Sequence, residues 1–447
     1  MALCPKTLRP PRAGLTTTAA VILAACASSA IAEGEDQTFA LHAQTTVVGQ
    51  AHPSFDAAFS GGNSLQPRAD ARETWDVTVY AGFRPWKGGE FWFNPEIDQG
   101  FGLSDTLGVA GFPSGEAYKV GKPHPYVRLQ RVFLRQTFDL GGDEKKVDAD
   151  LNQFAESTTN NRLVFTAGKF GVTDVFDTNP YAHDPRHDFL NWALIDTGTF
   201  DYAADAWGYS AGAAVEWYQG DWTLRTGAFD LSDVPNSERL DPHFSQFQIE
   251  GEVERRFTFH GQDGAIKVTG FVSHGRMGRF DDAVALSQAT GAPADTDPVR
   301  RVRNRGGVSA NLALGVTKDL GVFVRAGVAD GDIEPYEFAD IDRTFAAGLS
   351  LKGTRWGRAD DTFGFAGVLN GISKAHERYL NAGGLGILVG DGRLPHPAVE
   401  AIFETYYDVA LTKAVHLSVD GQIVDHPAYN ADRGPVPIIA ARFHAQF

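Results

Sequence analysis

Glu90, Trp92, Asn94 and Glu96 occupy alternate positions of the segment Glu90-Phe91-Trp92-Phe93-Asn94-Pro95-Glu96-Ile97-Asp98. On an extended strand this spacing places all four, with Asp98, on one face, and Phe91, Phe93 and Ile97 on the other. A flat indole beside fixed carboxylates and an amide meets the needs of a polyhydroxylated ring: an apolar plane for its C–H face and partners for its hydroxyls. A second strand candidate, residues 126–138, carries Arg128, Arg131 and Arg135. A guanidinium presents five fixed donors and keeps its charge, so Arg facing Glu makes a transverse field and paired hydrogen-bonding groups. Arg128 and Arg131 have opposite parity. Either a bulge lies between them or one sits near an interface.

Other clusters carry less chemistry. His183-Asp184-Pro185-Arg186-His187-Asp188 holds metal-ligand types, but Pro185 forbids a regular helix and no spaced partner or Cys supports it, so it reads as surface-loop polarity. Asp330-Gly331-Asp332-Ile333-Glu334 lacks the order of a calcium loop and reads as a turn after a strand. The Gly-rich run 383–390 matches no phosphate loop and reads as flexible loop or strand. Arg300, Arg301, Arg303 and Arg305 form a basic run inside a long loop, read as solvated, with lipopolysaccharide phosphates or an anionic solute as the alternative contact. Neither common hydrolase signature, a G-x-S-x-G nucleophile elbow or an H-E-x-x-H motif, is read in the chain. No catalytic residue, metal site or cofactor is assigned.

The elements that must position these residues are strands. The chain ends Ile439-Ala440-Ala441-Arg442-Phe443-His444-Ala445-Gln446-Phe447. Its odd positions are apolar and suit lipid, whereas Arg442, His444 and Gln446 suit a watery lumen. Residues 415–423 repeat the pattern, with His416, Ser418, Asp420 and Gln422 on the polar side. Further strand windows lie at 40–50, 75–84, 126–138, 162–170, 207–217, 222–230, 245–258, 265–275, 307–317, 320–329, 343–352, 362–370 and 400–412. With 90–98, 415–423 and 439–447 these make about sixteen strands of roughly ten residues, the length that crosses a bilayer. Turn signals such as Gly141-Gly142-Asp143, Gly220-Asp221 and Lys318-Asp319 separate many of them, and long excursions occupy 99–125, 171–206 and 279–306. The reading is all-β: a transmembrane antiparallel β-barrel with long extracellular loops and short periplasmic turns, wide enough to leave an aqueous channel.

Composition agrees. The 447 residues include 49 Gly and 31 Phe, with 40 Lys plus Arg against 56 Asp plus Glu. An acidic chain offers no overall basic surface to nucleic-acid phosphates. Residues 1–32 read as an export signal: Lys6, Arg9 and Arg12 precede an apolar stretch, and Ala30-Ile31-Ala32 offers a cleavage site. A rival reading makes Leu23-Ala24-Ala25-Cys26 a lipobox acylated at Cys26. Cleavage after Ala32 removes three basic residues and both Cys, leaving one domain, 33–447, with 37 basic and 56 acidic residues and a net −19. After residue 32 there is no run of about 18 apolar residues, so membrane location requires a barrel.

Several segments resemble the carbohydrate-selective porins, porin B type, of Gram-negative outer membranes. They are Arg84-Pro85-Trp86-Lys87-Gly88-Gly89-Glu90, Leu134-Arg135-Gln136-Thr137-Phe138, Asp188-Phe189-Leu190-Asn191-Trp192, Phe403-Glu404-Thr405-Tyr406-Tyr407, Asp420-Gly421-Gln422, the run from Pro427 to Val436, and Arg442-Phe443-His444. The terminal Phe447 also resembles the C-terminal signal of outer-membrane barrels. The likeness spans about Trp75 to Phe447 and departs at His426, where relatives have Asn. It implies a sixteen-stranded outer-membrane channel for passive diffusion of sugars and other small hydrophilic solutes, with lipid and lipopolysaccharide around it and no cofactor. A homotrimer and a monomer fit equally.

Other functions compete. A general or ion-selective porin would favour cations unless Arg dominates its constriction. A barrel lipase needs a nucleophile beside His, and His444 has Gln446 nearby but no evident Ser. A periplasmic sugar-binding protein or glycosidase would not need terminal Phe447 or lipid-like strand faces.

Overall fold

Sixteen strands close on themselves as one antiparallel barrel in the computed structural model, which describes residues 37–447. The export signal and Cys26 lie outside the described residues. In chain order the strands are β1 (Phe39–His52), β2 (Asp70–Trp86), β3 (Gly89–Gly100), β4 (Lys122–Asp139), β5 (Glu144–Val147), β6 (Glu156–Thr159), β7 (Arg162–Phe170), β8 (Ser210–Gln219) and β9 (Trp222–Asp230). They continue with β10 (Phe247–Phe259), β11 (Gln262–Met277), β12 (Arg301–Gly315), β13 (Leu320–Ala329), β14 (Arg343–Gly353), β15 (Arg358–Gly371), β16 (Glu400–Ala410), β17 (Val415–Asp425) and β18 (Val436–Gln446). β5 and β6 form a separate hairpin inside the connection between β4 and β7. β1 pairs with both β2 and β18, which removes every free edge and satisfies the backbone groups that lipid cannot. Each of the sixteen expected windows falls on one of the barrel strands.

Period two decides what each strand shows to lipid. On β3, Trp92 and Glu96 are buried inside while Phe91 and Phe93 are exposed outside. On β18, Arg442 and His444 point inward and Ile439 outward. Ala445 departs from the expected lipid exposure: it is fully buried between its strand neighbours Thr45 and Val415. A partly exposed aromatic set, Trp86, Trp217, Trp222 and Trp356, lies at the short turns 87–88, 220–221 and 354–357, where a barrel meets the polar edge of the bilayer. The other long connections gather at the opposite, extracellular end, but 140–161, with its β5–β6 hairpin, lies at the turn end beside Trp86 and Gly88 and corrects the expectation that every periplasmic connection is a short turn.

Three further expectations about the connections are corrected. The excursion expected at 279–306 ends sooner, because β12 starts at Arg301. Of the basic run only Arg301 stays exposed. Arg300 donates to Glu334 at 2.7 and 3.0 Å, Arg303 to Asp282 at 2.9 Å, and fully buried Arg305 to Asp201 at 3.2 Å, each finding a carboxylate on a segment folded over the barrel. Short helices α1 (Trp192–Ile195), α2 (Phe280–Thr290) and α3 (Lys374–Asn381) depart from the all-β reading, since one to three turns carry little periodic signal. Finally, 372–399 is a further long loop. Its Gly-rich stretch packs inward, with Leu388 and Val389 buried.

The interior is not an empty tube. Phe112, Phe189, Trp192, Phe200, Tyr336 and Leu388, all from inserted loops, share one apolar cluster with inward wall residues such as Phe323 and Tyr406. The width of sixteen strands is partly filled by the chain's own loops.

Candidate functional site

The inward face of β3 is covered on its lumen side. Trp92 packs against Phe154 of the connection 140–161, the rings tilted by 49° with centroids 4.9 Å apart, and its indole N–H donates to Glu90 at 3.0 Å. Gly82 on β2 makes room for it, since a Cβ there would lie 2.6 Å from the Trp92 ring. Trp92 has no exposure and no part in an interfacial girdle. Glu90 accepts from Arg84 at 3.1 Å and Arg135 at 3.3 Å. The Asn94 amide donates to Asn152 at 2.9 Å. Glu96 accepts from Thr78 at 2.5 Å, Tyr118 at 2.8 Å and Gln130 at 3.0 Å.

β4 faces this row. Glu90 lies opposite Arg135, Asn94 opposite Arg131 and Glu96 opposite Arg128, with a register shift between Asn94 and Pro95. The shift leaves Gln130 as the extra residue of a bulge, and both arginines turn inward.

The arginines then meet the inserted segment 171–209. Arg131 forms a two-pronged pair with Asp174, at 2.6 and 2.7 Å. The Arg128 guanidinium lies 3.4 Å from the centroid of the Trp207 ring and shares one oxygen of Asp205, at 3.4 Å, with Lys169 at 2.8 Å. Arg186 reaches across to Glu116 at 3.5 Å, Asp76 at 3.8 Å and Asp184 at 4.0 Å. Burial alone would raise the Asp184 carboxyl, but Arg186 and the His187 imidazole bring it down to about 2. The stretch from His183 to Asp188 is therefore inside the barrel rather than on its surface. Among the described residues no group of three ligand-type side chains could hold a metal ion.

Many inward carboxylates serve the loops. An inserted loop has no ladder partner for its N–H groups, and burying them unpaired would cost about 1–3 kcal/mol each. Glu404 accepts from the N–H groups of Leu190 and Asn191 at 2.5 and 3.0 Å, and Glu400 from those of Ala110, Gly111 and Ala428 at 2.9–3.0 Å. Glu252 accepts from Asp177 at 2.8 Å, and Asp201 from residues 336–339 at 2.5–3.2 Å. Much of the acidity is structural.

Open cavities indent the barrel at both ends. A cavity of about 480 Å³ at the long-loop end is lined by Arg128, Lys169, Asp205, Glu238, Arg239 and Leu240. One of about 590 Å³ at the turn end is lined by His42, Asp150, Asp184, His187, His416 and His444. The charged side chains that keep partial exposure include Arg128, Arg131, Lys169, Asp174, Asp184 and Arg186. Four of these six, Lys169, Asp174, Asp184 and Arg186, carry no periodic signature in the sequence; three stand outside the strands.

Gly208-Tyr209-Ser210-Ala211-Gly212 matches the G-x-S-x-G pattern and corrects the reading that this signature does not occur. It is not a nucleophile elbow. Ser210 opens β8, its hydroxyl donates to the carbonyls of Asp230 and Ala211, and no imidazole bonds to it.

Residues 62–447 match the carbohydrate-selective porin, OprB family. The high-pH structure of Pseudomonas putida OprB is similar at a TM-score of 0.69 and 15% identity, covering 92% of this chain and 95% of that one. The low-pH structure of the same protein gives 0.51 and 12%, covering 92% and 93%. No curated protein sequence matches.

Proposed function

This chain belongs to the carbohydrate-selective porin OprB family and forms an outer-membrane channel for carbohydrate diffusion; on that premise we propose how its solutes pass. They move between the inserted segment 171–209 and the wall formed by β3, β4 and β7. Arg128, Arg131 and Arg135 hold donors toward the hydroxyls, with Lys169, Asp174 and Arg186 alongside. Glu90, Trp92, Asn94 and Glu96 stand behind them and fix their positions. The observation that carries this reading is the set of arginines tied two-pronged or side-on to acids and aromatic rings, yet still partly exposed. A sugar exchanges hydration for these fixed groups without any bond being made or broken, so we assign no catalytic residue and no cofactor. Residues 1–32 act as the export signal and 33–447 as the single barrel domain.

Swelling of liposomes containing the refolded barrel tests this, using sugars, amino acids and salts of matched size. Sugar uptake faster than size alone allows supports the reading. Uniform, size-limited uptake reduces the protein to a general diffusion porin.

A further inference from the structure

On the lipid side, running from the middle of β11 and β12 up to the extracellular ends of β14 and β15, the barrel wall carries a groove of about 740 Å³. The strand registers show how it forms. One row of outward positions runs Val268, Ala310, Ala326, Phe345 and Leu369 across neighbouring strands. The two alanines make a dip between larger side chains. Val308 and Val328 line the next row, and residues 397–399 overhang from the loop above. Val268, Phe345 and Leu369 are each about half exposed, at 49, 51 and 48%.

Arg343 stands at the top of this groove, two residues before Phe345 on the same outward face. One of its N–H groups donates to the Ile372 carbonyl at 2.7 Å. Among the described residues it has no carboxylate partner, unlike most of the inward arginines. The one acid on the groove, Glu377, is neutralised by Lys374, which donates to both its oxygens at 2.8–2.9 Å. In a chain of net charge −16, an unpaired outward cation directly above an apolar slot is complementary to an anionic amphiphile. At the height of the long loops that amphiphile is a lipid of the outer leaflet.

We propose that this groove binds the lipid A part of lipopolysaccharide, with an acyl chain over Ala310 and Ala326 and a phosphate on Arg343. The proposal rests on the outer-membrane reading of the barrel. It is independent of which solute the lumen passes.

The test is native mass spectrometry of the full barrel refolded with bis-phosphorylated hexa-acyl lipid A, with phosphatidylglycerol as competitor. The wild type should retain one lipid A per chain against excess phosphatidylglycerol. Arg343→Ala, which removes one interfacial charge, and Ala326→Leu, which fills the dip, should each lower retention about fivefold. Glucose-driven swelling by the same preparations reports folding, and it should stay at the wild-type rate because neither residue faces the lumen. The proposal fails if the wild type retains no lipid A, if phosphatidylglycerol displaces it freely, or if swelling-competent variants retain as much as the wild type. Absence of sugar uptake by the wild type would instead overturn the channel reading and leave the lipid result standing by itself.

Discussion

Arg128 and Arg131, three residues apart on one strand, both point into the barrel because Gln130 is bulged between them. The bulge sets Arg128 opposite Glu96 and Arg131 opposite Asn94, so a single extra residue aligns the basic row of β4 with the polar row of β3.

Deleting Gln130 should leave a regular strand that keeps Arg131 opposite Asn94 and Arg128 opposite Glu96, both inward, and loses only the Gln130 bond to Glu96. The folded fraction after refolding, read by gel mobility with and without heating, should therefore stay close to that of the wild type. Leu129→Arg, on the outward face, should lower it sharply, because a lipid-facing Arg costs about 2–4 kcal/mol near midplane.

Arg131→Ala removes both bonds to Asp174 and opens the space between β4 and the inserted segment. Single-channel conductance should rise. Sugar uptake relative to size-matched solutes should drop about fivefold, equivalent to ~1 kcal/mol of lost discrimination. Unchanged discrimination would remove Arg131 from the solute path.

Trp92→Ala should destabilise the barrel by about 3–5 kcal/mol, because a fully buried indole leaves a cavity under Phe154. The connection 140–161 packs on that ring, so limited proteolysis should cut it faster in the variant than in the wild type.

Glu404→Ala leaves the N–H groups of Leu190 and Asn191 without their acceptor, at a cost of about 1–3 kcal/mol each. The inserted segment should loosen while the barrel persists. The measurable consequence is noisier, larger conductance with an unchanged heat-modifiable band.

Asp184, held near 2 against burial by Arg186 and His187, contributes stability that is complete above the ordinary carboxylate value of about 3.9 and is lost as pH falls through about 2. Conductance should therefore be flat in this respect from pH 7 to about 5 and change only in strong acid. Asp184→Asn should abolish that acid step, and a step persisting in the variant would assign it elsewhere.

Every barrel strand was legible in the sequence because alternation is local: a strand between lipid and water repeats its requirement every second residue, as 90–98 and 439–447 do without help from distant parts of the chain. The same locality set the inward faces of Glu90, Trp92, Asn94 and Glu96, and it reduced Arg128 and Arg131 to two alternatives. The tertiary structure chose between those alternatives, since a bulge is defined only against the partner strand. It also decided that Glu400 and Glu404 hold loops rather than stand free in water, and that the segment from His183 to Asp188 is inside the barrel. It made Lys169, Asp174 and Arg186 neighbours of the predicted arginines. The reason is physical: an inserted loop satisfies its backbone through contacts hundreds of residues away, as between Leu190 and Glu404, and such pairings leave no period in the chain for a sequence to show.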